Sequence, residues 1–193
     1  METVKIKHRE FNIVSKQSED IYILERKGVQ YLGTKFTPKT QEAKELTYAV
    51  RIISTSGVKA PKVFFIDEKA GFIVNEILEG EKMSNYLSHS DMSEDMYEQL
   101  FQNAYLAKIS HMTLDYSPEW WLVKENTLYY MRPMFIVYKK EKDLTERYLR
   151  LWFNTLELAN YLASLGIFYD KSRIKEEYST NKDIVLKVCK YYR

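Results

Sequence analysis

The sequence predicts an α+β protein of two small lobes, a β-rich lobe over residues 1–79 and a reduced, mainly helical lobe over residues 80–193. Two observations predict this fold class. In the first third of the chain apolar residues mostly alternate with polar ones, except in one segment where they recur at helical spacing. After Gly80 the apolar residues recur mainly at helical spacing. With 193 residues, of which 45% are hydrophobic, the chain is long enough for one domain or for two lobes that share a core.

The first lobe is predicted from strand and turn signals. Residues 4–13 alternate loosely, and strands at 20–25 and 29–36 flank the turn residues Arg26-Lys27-Gly28, which indicates a hairpin. A helix follows at 41–55, because Leu46, Ala49, Val50 and Ile53 recur at helical spacing. A second strand pair is predicted at 62–67 and 71–77.

The second lobe is predicted to be mostly helical. Its elements are a helix from Ser93 to about residue 110, a short hairpin at 121–131, a long helix at 144–165 that Gly166 ends, and two closing helices at 174–178 and 183–191.

Composition narrows the classes of function. The net charge of +2 is lower than a general polyanion binder usually carries, although a local basic patch is compatible with it. Cys189 is the only cysteine, so neither a disulfide framework nor a cysteine metal site is expected. No apolar run approaches the ~20 residues that a membrane span needs. We therefore expect a cytoplasmic protein without membrane contact.

One stretch, residues 113–135, combines an acidic residue in a loop, two adjacent tryptophans and a predicted hairpin. Asp115 lies in a loop before the predicted 121–131 hairpin, Trp120 follows five residues later, and Arg132-Pro133 comes directly after the hairpin. Together with the segments 56–68, 73–80 and 142–153, this stretch resembles the protein-kinase-like superfamily. The similarity is greatest to the small kinase/ATPase subunit of the KEOPS tRNA-modification complex, whereas RIO kinases and aminoglycoside phosphotransferases are more distant.

The resemblance implies a bilobal kinase-like fold with a degenerate catalytic centre. In that family an Asp orients the attacking hydroxyl, and an Asn five residues later and the Asp of an Asp-Phe-Gly motif hold magnesium. Asp115 matches the first position. Trp120 and Arg132 occupy the two ligand positions, and neither side chain can ligate Mg²⁺, so no metal site is expected there.

The resemblance also implies residues for ATP, the possible cofactor. Lys35 would anchor the phosphates, paired with Glu45, although an ungapped match places Thr34 at that position. The backbone C=O of Glu76 and the N–H of Leu78, beyond a gatekeeper at Asn75, would face an adenine. The loop at 15–20 lacks the glycine that would let backbone N–H groups approach phosphate.

Three functions follow as hypotheses. The first is a pseudokinase that acts as a binding or regulatory partner of another protein. The second is an active atypical serine/threonine kinase or ATPase of the KEOPS/RIO type, in which Glu119 or Glu125 replaces the lost metal ligands. The third is an RNA- or protein-interaction module that binds through the basic residues Lys187, Lys190 and Arg193, with tRNA as the partner that the resemblance suggests.

Overall fold

The computed structural model describes residues 2–178 and Ile184 of a chain that mixes helix and antiparallel strand. The chain divides into two compact units. The first comprises Met1–Thr55 and Ala60–Glu79, and the second comprises Ser56–Lys59 and Gly80–Arg193.

The first unit contains a six-stranded antiparallel sheet with the strand order β1-β2-β3-β4-β6-β5. The strands are β1 (Thr3–Ile6), β2 (Arg9–Lys16), β3 (Ile21–Arg26), β4 (Val29–Lys35), β5 (Val63–Asp67) and β6 (Phe72–Asn75). The predicted hairpin of the third and fourth strands is confirmed, with Ile21 opposite Thr34 and Arg26 opposite Val29. Fully or nearly fully buried side chains cover one face of the sheet: Ile6, Phe11, Leu24, Phe72 and Val74.

The loosely alternating residues 4–13 belong to two strands, β1 and β2, and not to one continuous element. The chain turns at Lys7 and His8, whose φ angles are 48° and 64°, and continues as a second strand. The carboxylate of Asp67 stabilises this turn by accepting a hydrogen bond of 2.6 Å from the backbone N–H of Lys7. Neither Lys nor His is a turn signal, so the local sequence gave no warning of the break.

Helix α1 (Gln41–Thr55) has the bounds that the apolar stripe predicted. The hydroxyl of Thr40 accepts a hydrogen bond from the N–H of Ala43 at 3.1 Å and so caps the first turn. Ala49, Val50 and Ile53 are buried. The stripe therefore anchors the helix within the first unit.

The second unit has short strands and three α-helices among its described residues. They are β7 (Glu81–Lys82), α2 (Met83–His89), α3 (Glu94–Ile109), β8 (Met112–Thr113), β9 (Trp121–Lys124), β10 (Thr127–Tyr130), β11 (Ile136–Val137) and α4 (Leu156–Ser164). Ser93 caps α3 as predicted, because its Oγ accepts from the N–H of Met96. The predicted 121–131 hairpin is confirmed, and it turns at Glu125 and Asn126, which both have positive φ.

The long helix predicted over 144–165 is interrupted. Leu144–Tyr148 forms a π-helical turn, Leu149–Trp152 a 3₁₀ turn, and α4 begins only at Leu156. Thr155 causes the break in two ways: its hydroxyl donates to the carbonyl of Arg150 at 2.6 Å and accepts from the N–H of Leu158 at 3.1 Å. A threonine that caps a new helix cannot continue the old one.

The helix predicted at 174–178 is instead a 3₁₀ turn at Glu176–Tyr178, and another 3₁₀ turn at Lys171–Arg173 precedes it. The other predicted closing helix, at 183–191, lies outside the described residues except for Ile184, which is helical and buried. Within the part of the chain that the structure describes, the helices lack the combination of length and apolar character that crossing a bilayer requires.

Candidate functional site

Asp115 lies in the loop between β8 and a 3₁₀ turn at Pro118–Trp120. Both polar groups of its backbone are hydrogen-bonded. Its N–H donates to the hydroxyl of Tyr130 at 3.2 Å, and its carbonyl accepts from the indole Nε1 of Trp121 at 3.1 Å. Its Oδ1 accepts from the N–H of Ser117 at 3.1 Å, which forms an Asx turn. These bonds fix the position of the carboxylate.

The second oxygen of that carboxylate is paired with a cation. Nη1 of Arg132 contacts Oδ2 of Asp115, and the two side chains are only 31% and 21% exposed. The guanidinium carbon of Arg132 lies 4.6 Å from the ring centroid of Trp120, within the range of a cation–π contact. The structure thus places Asp115, Trp120 and Arg132 together, as an anion, an indole and a cation in contact.

These residues do not fit a magnesium ion. Magnesium takes oxygen ligands in near-ideal octahedral geometry, and Trp120 offers none. The guanidinium of Arg132 already neutralises the one carboxylate of the group. A second cation at this position would be repelled by Arg132.

Aromatic side chains support the loop from inside the second unit. Trp121 is fully buried and its ring lies 5.2 Å from that of Tyr130, 5.8 Å from Trp152 and 6.1 Å from Tyr116. The adjacent tryptophans differ in burial, since Trp120 is only half-buried. Trp121 is the core residue, and Trp120 is the one against Arg132.

Two tyrosines of this region were not singled out from the sequence. Tyr130 is buried, and its hydroxyl donates to the carbonyl of Met134 at 2.7 Å while accepting from Asp115. Burial raises the pKa of Tyr130 far above its ordinary value, so the hydroxyl stays a donor. Tyr161 accepts from the N–H of Glu119 at 3.3 Å, and burial raises its pKa to about 12. The sequence signal for both was only their position in a predicted element, Tyr130 in the hairpin and Tyr161 in the long helix.

Glu119 and Glu125, the two possible replacements for the lost metal ligands, lie in different elements of secondary structure. Glu119 is half-buried in the 3₁₀ turn, whereas Glu125 is exposed at the tip of the β9–β10 hairpin with φ of 50°. Among the described residues, no group of three or more His, Cys, Asp or Glu side chains is arranged to hold a metal ion.

The first unit holds the residues predicted to contact nucleotide. Lys35 ends β4 with an exposed side chain, and its N–H donates to the carbonyl of Asp20 at 2.8 Å. Glu45 is exposed on α1 and accepts from Nε2 of Gln41 at 2.9 Å. Among residues 2–178, the ion pairs do not include one between Lys35 and Glu45.

The predicted adenine segment follows β6. The N–H of Glu76 donates to the carbonyl of Lys62 at 2.8 Å, and its carboxylate accepts from the N–H of Lys62 at 3.2 Å. Leu78 is half-buried in irregular structure. The Oδ1 atom of Asn75 is buried without a hydrogen-bond partner among the described residues. The remaining predicted residues, Lys187, Lys190 and Arg193, lie outside the described residues.

No protein-family model matches this chain, and a comparison with curated proteins found no match.

Proposed function

We propose that this chain is a pseudokinase, a kinase-like protein that serves as a binding or regulatory partner and does not transfer phosphate. One observation carries the proposal. Both oxygens of Asp115 are engaged, one by the N–H of Ser117 and the other by the guanidinium of Arg132. The carboxylate is thus oriented at both oxygens by its own chain, which is a structural role and not the orientation of an attacking hydroxyl.

The electrostatics support the same proposal. Phosphoryl transfer in kinases is catalysed mainly by metal ions that neutralise the developing charge, together with precise positioning of the nucleophile. The guanidinium of Arg132, covered by Trp120, neutralises the carboxylate of Asp115. Neither Arg132 nor Trp120 can serve as a ligand for a metal ion. The arrangement stabilises the loop as a structural element.

The kinase-like fold is itself part of the proposal. Its support is the order of elements: an antiparallel sheet with one helix between its fourth and fifth strands, then α3, the loop with Asp115 and the β9–β10 hairpin. A KEOPS-like assembly is the partner that the sequence resemblance suggests, and a protein partner is the simplest role for a kinase-like fold without turnover.

Calorimetric titration of the whole chain with ATP tests the proposal, once with Mg²⁺ and once with EDTA. We expect either no binding or binding that is the same in both buffers. Binding that requires Mg²⁺ would overturn the proposal in favour of an active atypical kinase or ATPase. Glu119→Gln and Glu125→Gln would then show which carboxylate holds the metal.

A further inference from the structure

A small cavity of about 190 Å³ opens beside Asp115 within the second unit. The loop after β8, the segment around β11 and the π-helical turn at Leu144–Tyr148 contribute to its wall. Met134, Phe135 and Ile136 form the apolar part of the lining, and Tyr148 adds a hydroxyl. Pockets for drug-sized ligands have volumes of about 300–1,000 Å³, so this cavity fits a head group and not a whole nucleotide.

The charged groups of the lining are mainly cationic. Arg132, Lys142 and Arg147 line the cavity, and Asp115 is the one acidic residue among them. Since Arg132 is paired with Asp115, the surplus positive charge belongs to Lys142 and Arg147. Among the described residues, neither of these two takes part in an ion pair.

Within residues 2–178, the neighbouring acids do not form ion pairs with these cations. Asp143 precedes the π-helical turn, but its Oδ1 accepts from the N–H of Leu144 at 2.8 Å and its Oδ2 from the hydroxyl of Tyr138 at 3.1 Å. Glu141 and Glu146 are exposed and do not line the cavity. The lining of the cavity itself therefore carries three cations and one carboxylate, a surplus of two positive charges.

We propose that this cavity binds the phosphate group of a phosphate monoester. A monoester carries a charge of about −1.5 to −2 at neutral pH and presents three acceptor oxygens, which matches two surplus cations and a hydroxyl. A carboxylate, with one charge and two oxygens, would leave one cation without a partner. Arginine also donates two parallel hydrogen bonds to phosphate, which favours Arg147 as the main contact.

This inference does not rest on the pseudokinase proposal. It concerns binding of phosphate in the absence of nucleotide and metal, and it holds whether or not the chain turns over ATP. The phosphate could belong to a free small molecule or to a modified side chain of a protein. The chemistry that the cavity recognises is the same in both cases.

The test is titration of the whole chain, in EDTA and at fixed ionic strength, with inorganic phosphate, O-phosphoserine and a phosphoserine peptide flanked by alanines. We expect saturable binding of at least one probe. The double variant K142Q/R147Q should weaken it about tenfold or more, because each charge-assisted contact carries a large share of the affinity. The conservative variant K142R should keep it.

The matched control is K139Q/K140Q, which removes the same charge from the same segment. Lys139 and Lys140 are exposed and do not line the cavity, so binding should change less than about twofold. Tighter binding of the peptide than of O-phosphoserine would assign a phosphorylated protein as the source, and the reverse order a small molecule. Absence of saturable binding to wild type, or equal loss in the two double variants, would overturn the inference.

Discussion

The guanidinium of Arg132 contacts the carboxylate of Asp115 across 17 residues of sequence, with a loop and a hairpin between them. The pair is mostly buried, and Trp120 covers the cation. By contrast, the ion pair of Arg51 and Glu68 in the first unit joins two side chains that are each 56% exposed. These two pairs allow a direct comparison of a covered and an open ion pair.

A double-mutant cycle on D115N and R132M should give a coupling free energy of about 1–2 kcal/mol, because partial burial weakens solvent screening. The same cycle on R51M and E68Q should give about 0–0.5 kcal/mol, since both groups are open to water. Urea unfolding measures both. Equal coupling in the two cycles would show that the Asp115 pair is an ordinary surface contact.

The adjacent tryptophans should differ in their effect on stability. W121A removes a fully buried ring that packs on three aromatic neighbours, and we expect the free energy of unfolding to fall by about 3–5 kcal/mol. W120A removes a half-buried ring whose described partner is Arg132, and it should cost about 1 kcal/mol. Chemical denaturation of the two variants measures the difference. A larger loss for W120A would contradict these assignments.

Acid should weaken a network around Asp91. The side-chain amide of Asn154 and the guanidinium of Arg173 hold the pKa of Asp91 below its ordinary value of 3.8. A lowered pKa in the folded state stabilises above the unfolded pKa, and this contribution is lost as the pH falls through the folded pKa. Since the Asp91 side chain is 55% exposed, the effect should not exceed about 1 kcal/mol.

The measurement for Asp91 is unfolding of wild type and D91N at pH 6 and below pH 3.8. We expect the wild type to be more stable at pH 6 and the difference to shrink at the lower pH. D170N is a useful comparison, because Asp170 is an acidic residue of the same region that caps the turn at Ser172. A difference between wild type and D91N that does not change with pH would argue against the ionised network.

Gly71 should tolerate no side chain. Its φ is +69°, and an added Cβ would lie 2.3 Å from the carbonyl oxygen of Phe36, a backbone atom that cannot move aside. G71A should therefore destabilise the chain by about 2 kcal/mol or more. Gly28 has a similar φ of +74° but open space around it, so G28A should cost only about 1 kcal/mol. Thermal unfolding of both variants measures the additional loss of stability that the clash with Phe36 causes in G71A. Equal losses of stability in the two variants would argue against this clash.

Local signals predicted several of the regular elements well. Gly28 marked the β3–β4 hairpin, and the apolar residues at helical spacing predicted α1 from Gln41 to Thr55. The features that the sequence did not predict arose where a long-range or side-chain contact decided the backbone. The turn at Lys7 depends on Asp67, which is 60 residues away, and Thr155 ended one helical segment by capping the next.

The candidate site was predicted in part. The sequence marked Asp115, Trp120 and Arg132 as departures from a catalytic pattern, but it could not show that the cation and the carboxylate bind each other. That contact depends on how the β9–β10 hairpin returns the chain to the loop. The role of the Tyr130 hydroxyl could not be predicted, because a tyrosine on a strand has the same sequence pattern as any aromatic core residue.

The most direct test of the pseudokinase proposal is hydrolysis of radiolabelled ATP by the wild-type chain in Mg²⁺, with D115N measured in parallel. We predict no release of phosphate above the buffer rate from either chain, because Arg132 and Trp120 leave no metal ligand beside Asp115. Release by the wild type that D115N abolishes would contradict the proposal and make Asp115 a working catalytic residue.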